Sequence, residues 1–178
     1  MKLTLDLHVH SDASFDGRMS VRQIALLAKA RGIDGVAICD HDVVYTGPTE
    51  VEGVLIIPGA EFSTEYGHLL GLFLTAPIQH TTWKETVQAI HDQGGITVLA
   101  HPYQNKRSGS LEPFRPILDD IDAVETWNSR ANRKYPHAND NAFILALVRN
   151  KLSTGGRDAH VPQEVGRGFL TVDVEERT

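Results

Sequence analysis

Short apolar runs, separated by polar and glycine-containing segments, set the rhythm of this chain. Lys2–His10 alternates apolar and polar positions with the period of a strand, then enters the polar loop Ser11-Asp12-Ala13-Ser14. Ser20-Val21-Arg22-Gln23 reads as a capping box that opens a helix through Lys29, with Gly32 as its stop. Gly35–Cys39 and Val54–Ile57 read as strands, the second ended by Pro58-Gly59, and Leu69–Leu74 as a fourth, entered at His68. Thr82-Trp83-Lys84-Glu85 is a second capping box, whose helix ends at Gly94-Gly95. Ile96–Ala100 predicts a strand, Leu111–Leu118 a short helix broken by Pro113 and Pro116, and Ala123–Trp127 a further strand. A helix over 138–151, an extended Ser153–His160 and a last short strand at Phe169–Val174 complete the pattern.

Strands alternating with helices imply a mainly parallel α/β sheet with right-handed crossovers. About seven of them predict a small barrel whose site lies at the carboxyl ends of the strands. At 178 residues the chain suits one compact domain over residues 1–178, and no linker or repeat divides it. Gln104–Ser110 is the only long polar loop and reads as part of a site rim.

The chemistry gathers at the ends of the apolar runs. His8 and His10 close the first run, His41 follows the second, Glu61 the third, His68 opens the fourth, and His101 ends the fifth. Asp158 and His160 lie near the last, and Asp16 just after the first pair. Side chains two apart on a strand share a face, so His8 and His10 converge with Asp6 below them, and Asp158 pairs likewise with His160. In Asp40-His41-Asp42 the alternation turns the carboxylates away from the histidine, which suits support of a ligand better than ligation. Imidazole and carboxylate without thiolate point to Zn, Mn or Fe. His80, His91 and His137 fall outside this pattern and read as surface residues.

Composition narrows the setting. The formal net charge is -6 and no basic run is present, which argues against extended duplex nucleic-acid binding. No apolar stretch reaches the roughly 18 to 20 residues of a membrane span, and the start lacks the features of a signal peptide. One cysteine, Cys39, allows no internal disulfide; its apolar surroundings mark an inert buried thiol and favour a reducing cytoplasm.

In order along the chain, Asp6-Leu7-His8-Val9-His10-Ser11 with Asp16-Gly17, Asp40-His41-Asp42, Gly59-Ala60-Glu61, His68-Leu69-Leu70-Gly71, Ala100-His101-Pro102, Glu125-Thr126-Trp127-Asn128 and Asp158-Ala159-His160 resemble the motifs of the PHP (polymerase and histidinol phosphatase) domain. The resemblance spans essentially the whole chain. It implies a distorted seven-stranded TIM-like (β/α)7 barrel with two or three divalent metal ions at the strand ends. It implies that His8, His10, Glu61 and Asp158 hold one ion, that Glu61 bridges to a second held with His68 and His101, and that Asp16, His41 and His160 hold a third. Arg157 stands where the family often has Ser, and the short Val43–Leu55 connection leaves no room for an inserted subdomain.

Such a centre implies a metal-dependent phosphoesterase, with a metal-activated hydroxide as nucleophile and no side-chain nucleophile required. Glu61, Asp158 and His160 are the residues expected nearest the reaction. Lys106, Arg107, Arg130 and Arg157 are candidate phosphate contacts, with a solvated surface position as the alternative for each. A cationic pocket in an acidic protein favours a small phosphorylated metabolite or nucleotide, and a phosphomonoester is the leading expectation. The alternatives are an exonuclease releasing terminal nucleotides and a non-catalytic, metal-stabilised binding module.

Overall fold

The computed structural model describes residues 1–79, 82–104 and 109–175. In chain order the elements are β1 (Lys2–Val9), α1 (Val21–Ala30), β2 (Gly35–Ile38), β3 (Glu50–Val51), β4 (Val54–Thr64), β5 (Gly67–Leu72), α2 (Trp83–Asp92), β6 (Ile96–Leu99), a 3-10 turn at Glu112–Phe114, β7 (Ala123–Asn128), α3 (Ser129–Lys134), α4 (Ala138–Val148), β8 (Leu152–Gly156) and β9 (Leu170–Asp173). Both capping segments behave as their sequences require. Ser20 and Gln23 close a reciprocal box at the start of α1, and the Thr82 hydroxyl accepts from the backbone N–H of Glu85 at the start of α2.

The strands form one mixed α/β sheet in the order β8-β7-β6-β5-β4-β2-β1-β9, with β3 paired to β4. It curls into a nearly closed barrel: β1 packs beside β8, and a parallel bridge joins Val9 to Ala159. The backbone N–H groups of His10 and Asp158 donate to the carbonyls of Ala159 and His8 across this seam, both at 2.8 Å. Nine strands are present among the described residues, against about seven expected. The short β3, which the sequence pattern did not show, lies antiparallel against β4, and β9, the last strand expected at Phe169–Val174, lies antiparallel against the start of β1.

The sheet is less parallel than the alternation of elements implied. β1–β2, β2–β4, β6–β7 and β7–β8 are parallel, but β5 runs antiparallel to both β4 and β6. No helix separates β4 from β5; a tight turn at Glu65-Tyr66 reverses the chain, and a two-residue reversal can join only antiparallel strands. β4 also runs past its expected end. Pro58-Gly59 marks a change of partner: residues 55–58 pair with β2 on one edge and 59–64 with β5 on the other. A Cβ on Gly59 would lie 2.7 Å from the carbonyl oxygen of Gly71, so only glycine admits β5 this closely.

Elsewhere the expected helix at Leu111–Leu118 is reduced to one 3-10 turn around Pro113, α4 ends at Val148, and α3 was not anticipated. The barrel lumen is filled by small and branched side chains, among them Ala37, Cys39, Ile57, Leu70, Val98, Ala100 and Ala123. Cys39 is fully buried, and burial pushes its thiol far above the ordinary range, as an inert core residue requires. No helix among the described residues is long and apolar enough to cross a membrane.

Candidate metal centre

The reversal of β5 settles where the site lies. His8 and His10 leave the carboxyl end of β1, His101 follows β6, and Asp158 and His160 follow β8, whereas His68 opens β5. Because β5 runs the other way, its first residues lie at the same barrel end as the others' last. All nine predicted ligands therefore converge there.

The deepest four make a compact set. His8 Nε2 lies 3.2 Å from His10 Nε2, 3.4 Å from Glu61 Oε2 and 3.8 Å from Asp158 Oδ1. His10 Nε2 lies 3.2 Å from Glu61 Oε2 and 3.4 Å from Asp158 Oδ1. A tetrahedral ion with bonds of about 2.0–2.1 Å sets its donors about 3.3–3.4 Å apart; four of these five separations lie close to that value, and the His8–Asp158 separation is longer. The other oxygen of Glu61 faces the far side, with Oε1 2.7 Å from His68 Nδ1 and 2.9 Å from His101 Nε2. A third group joins Asp16 Oδ2 to His160 Nε2 at 3.0 Å and to His41 Nε2 at 3.6 Å. His41 also turns Nδ1 to 3.4 Å from Glu61 Oε2, so it sits between groups. These clusters are of a kind that holds divalent metal ions. The side chains of His8, His10 and Glu61 are at most 1% exposed, while Asp16 and His68 are about one third exposed, so the centre opens to solvent on their side.

Buried partners aim the ligands. Glu125, itself buried, lies with Oε1 3.0 Å from His8 Nδ1, while its Oε2 accepts from the backbone N–H of His101 at 2.9 Å and from Asn128 Nδ2 at 3.0 Å. A carboxylate on the far nitrogen of a ligating imidazole fixes which nitrogen carries the proton. Asp40 accepts from the backbone N–H and the hydroxyl of Ser11, both at 2.6 Å, and Asp42 from the backbone N–H of Ser63 at 2.9 Å. Both carboxylates support the loops around His41, as their alternation predicted. Asp6 accepts from the backbone N–H groups of Arg157 at 2.9 Å and Gly166 at 3.1 Å, tying β1 to the segment after β8. His101 and Asp158 adopt left-handed backbone angles, φ 25° and 59°, a conformation that non-glycine residues keep only where the surroundings enforce it.

The charges interlock. Burial opposes a charged His8 ring, yet Glu125, Glu61 and Asp158 hold its pKa well above the ordinary value. His10 and His101 are raised on balance in the same way, by Asp158 and Glu61. Burial would raise Glu61 and Asp158, but His8 and its neighbours hold both below the usual carboxylate range. At the rim, burial and the nearby His10 lower His41 and His160. Burial lifts Asp6 to about 7 despite its backbone donors. To hold a divalent ion, the imidazoles of this cluster would have to give up the protons that they otherwise share with the carboxylates.

The predicted phosphate contacts separate. Arg130 Nη1 lies 2.8 Å from His160 Nδ1, against the ligand cluster. That nitrogen is also 3.0 Å from the carbonyl oxygen of Asp158. With Nε2 as ligand, Nδ1 carries the proton and donates to that carbonyl, which leaves the Arg130 guanidinium to another acceptor. Arg157 is neither on the surface nor at the ligands: it is buried and bonds Glu164 Oε1 through Nη2 at 2.9 Å. Lys106 and Arg107, and His80 with them, lie outside the described residues. His91 pairs with Asp122 and His137 with Asp140, away from the centre. Sequence reasoning gave no role to Glu125, although it stands within a recognised motif; strand alternation on β7, placing it on the face opposite Thr126, was the available signal.

Comparison with known proteins agrees with this geometry. The PHP domain matches residues 6–107 and the PHP-associated family residues 136–178. An uncharacterised protein of Methanocaldococcus jannaschii is 32% identical over 176 residues, covering 94% of this chain and 70% of that protein. A "probable phosphatase" of Acetivibrio thermocellus is 26% identical over 204 residues, covering 94% of the chain and 83% of that protein. Among solved structures, a two-domain Bacteroides vulgatus protein containing a predicted PHP-like metal-dependent phosphoesterase superposes with a TM-score of 0.69 at 19% identity, over 92% of this chain and 53% of that one. Endonuclease Q, solved on a duplex with an abasic lesion, gives 0.70 at 19% identity, over 100% of this chain and 54% of that one. The chain spans about half the length of both structures, and at such identity they speak for the barrel alone. The ordered ligands, their convergence at one barrel end and the matched segments place this chain in the PHP domain family.

Proposed function

We propose that the protein is a hydrolase of phosphoester bonds that releases phosphate from a small phosphomonoester at a centre of two or three Zn, Mn or Fe ions. The observation that carries this reading is the close approach of His8, His10, Glu61 and Asp158, with the second oxygen of Glu61 turned to His68 and His101. Bound there, divalent ions supply an acidified water and neutralise charge on a phosphoryl group. The residues' own task is positioning. Glu61 joins the groups, Asp158 and Ala159 hold the loop after β8 against β1 through the His8 carbonyl, His160 faces Asp16, and Glu125 aims His8. Arg130, beside His160, is the cation placed to receive a phosphoryl oxygen.

We read residues 1–178 as a single domain without an inserted subdomain, because Asp158 and His160 from the PHP-associated segment complete a ligand set begun by His8. A cytoplasmic setting fits the lone buried thiol. The "probable phosphatase" relative supports a small phosphorylated substrate. A nuclease acting on terminal nucleotides is the second reading, favoured by the barrel shared with endonuclease Q. That neighbour's duplex also weakens the argument from net charge against duplex binding.

Hydrolysis of 4-nitrophenyl phosphate with Mn or Zn restored tests the proposal. Activity should vanish with a chelator and in His8→Ala. Stepwise degradation of a labelled oligonucleotide without aryl phosphate turnover would favour the nuclease, and metal binding without hydrolysis of either would leave a binding module.

A further inference from the structure

Beside the metal centre, behind Arg130, lies a cavity of about 480 Å³ lined by Gln104, Arg130, Arg133, Lys134, Arg157 and Glu164. None of the nine ligand residues contributes to its wall. Among the described residues, four cations face one carboxylate there, in a protein whose net charge is -6. Glu164 is already engaged: its Oε1 accepts from Arg157, its Oε2 accepts from the backbone N–H of His160 at 3.0 Å and lies 3.7 Å from Arg130 Nη1. The wall therefore holds an excess of positive charge that its own carboxylate does not cancel. Arg157 is 6% exposed, and its buried Nη1 has no hydrogen-bond partner among the described residues. A desolvated guanidinium N–H without an acceptor is costly, and an anion in the cavity would complete it. A planar guanidinium fork matches the oxygens of a phosphate or a carboxylate.

We propose that this cavity is a second anion subsite: the substrate carries, besides the phosphoryl group bound at the metal centre, a further phosphate or carboxylate held by Arg133, Lys134 and Arg157. The inference rests on the phosphoesterase reading and narrows it to doubly anionic small molecules. Arg130 stands at the junction, 2.8 Å from His160 on one side and lining the cavity on the other, so one small molecule can reach both sites.

The test compares the metal-loaded enzyme on matched pairs: glycerol 3-phosphate against 3-phosphoglycerate, and fructose 6-phosphate against fructose 1,6-bisphosphate. A charge-assisted contact of the ordinary strength favours the doubly anionic member of at least one pair by about tenfold or more in kcat/KM. A gain confined to the first pair assigns a carboxylate, and one confined to the second a phosphate. In Arg133→Gln/Lys134→Gln, both positions being exposed, that ratio should fall towards one through KM. No preference in either pair, or equal slowing of both members in the variant, overturns the proposal. Failure of the phosphoesterase reading looks different, since then no phosphoester is hydrolysed at all. In that event, calorimetric titration with inorganic sulfate still reads the cavity: binding weakened in the double variant supports the subsite, and unaltered binding overturns it.

Discussion

Glu125→Gln separates the aiming of His8 from the mere presence of a carboxylate near it. Glu125 serves three donors, His8 Nδ1 on one oxygen and the His101 N–H and Asn128 Nδ2 on the other. Glutamine has one oxygen and one NH2 in the same shape. If its oxygen keeps His101 and Asn128, the NH2 meets His8 Nδ1 and is satisfied only when that nitrogen is bare. The imidazole proton then moves to Nε2, the nitrogen facing His10, Glu61 and Asp158, where an ion needs a lone pair. If the amide is reversed, NH2 confronts two N–H donors, and a buried unmatched group costs about 1–3 kcal/mol. Either arrangement weakens the ion deepest in the barrel. Loss of such a supporting partner typically costs 10- to 100-fold in metal affinity, about 1.4–2.8 kcal/mol at tenfold per 1.4 kcal/mol. Zinc titration against a competing chelator measures it, with far-UV circular dichroism establishing that the variant is folded. A folded variant whose zinc affinity stays within about threefold of wild type would refute the tautomer argument.

Further outcomes follow from the same geometry. In chelated protein, His8, His10 and His101 have raised pKa values, so the stability they confer is fully present below about pH 6.5 and is lost as pH rises through those values. Zinc binding, which competes with the same protons, should strengthen over that range; thermal melts from pH 6 to 9 should therefore slope in opposite directions with and without zinc, and parallel slopes would contradict the assignment. Gly156→Ala would place a Cβ 2.7 Å from His8 Cβ and 2.8 Å from its backbone nitrogen, and should destabilise by about 1–3 kcal/mol in urea unfolding. Arg130→Ala should raise KM for 4-nitrophenyl phosphate about tenfold or more while zinc stoichiometry is retained; unaltered KM would remove Arg130 from the phosphate site. Cys39 should resist alkylation until the protein unfolds, and labelling of the native protein would contradict its burial.

The period-two pattern of β1 and the two capping segments were legible because each is local. The residues that converge at one barrel end were legible through chemistry, since His and carboxylate pairs two apart at strand ends have few structural uses. What the sequence hid depends on distance. Nothing local in His68-Leu69-Leu70-Gly71 says that its strand runs backwards; that follows from the two-residue turn at Glu65-Tyr66 and the pairing of Glu61 with Leu70. Pro58-Gly59 has the composition of a strand end, yet serves as the point where β4 exchanges β2 for β5. Arg157 looked equally suited to a phosphate and to the surface, because the Glu164 that holds it inside lies seven residues onward in a loop. Glu125 acts through His8, 117 residues away, a contact that only the closing of the barrel creates.

The centre also burdens the fold that builds it. Asp6, His8, His10, Glu61, Glu125 and Asp158 are all at least nine-tenths buried, and each gives up hydration to be there. Asp6 shows the size of the penalty: even with backbone donors on both oxygens, burial lifts its pKa to about 7, so near neutrality it is only partly ionised. Left-handed backbone at His101 and Asp158 adds strain at the same place. Hydrophobic side chains of similar volume would make this barrel end more stable. Its retention as a charged, strained cluster is therefore explained by ligand binding, which stabilises the folded chain in proportion to the logarithm of free ion over Kd. On that argument, resistance to unfolding should climb with free zinc or manganese, and a chain whose stability ignored both ions would have no physical reason to keep six charged or ionisable groups in its interior.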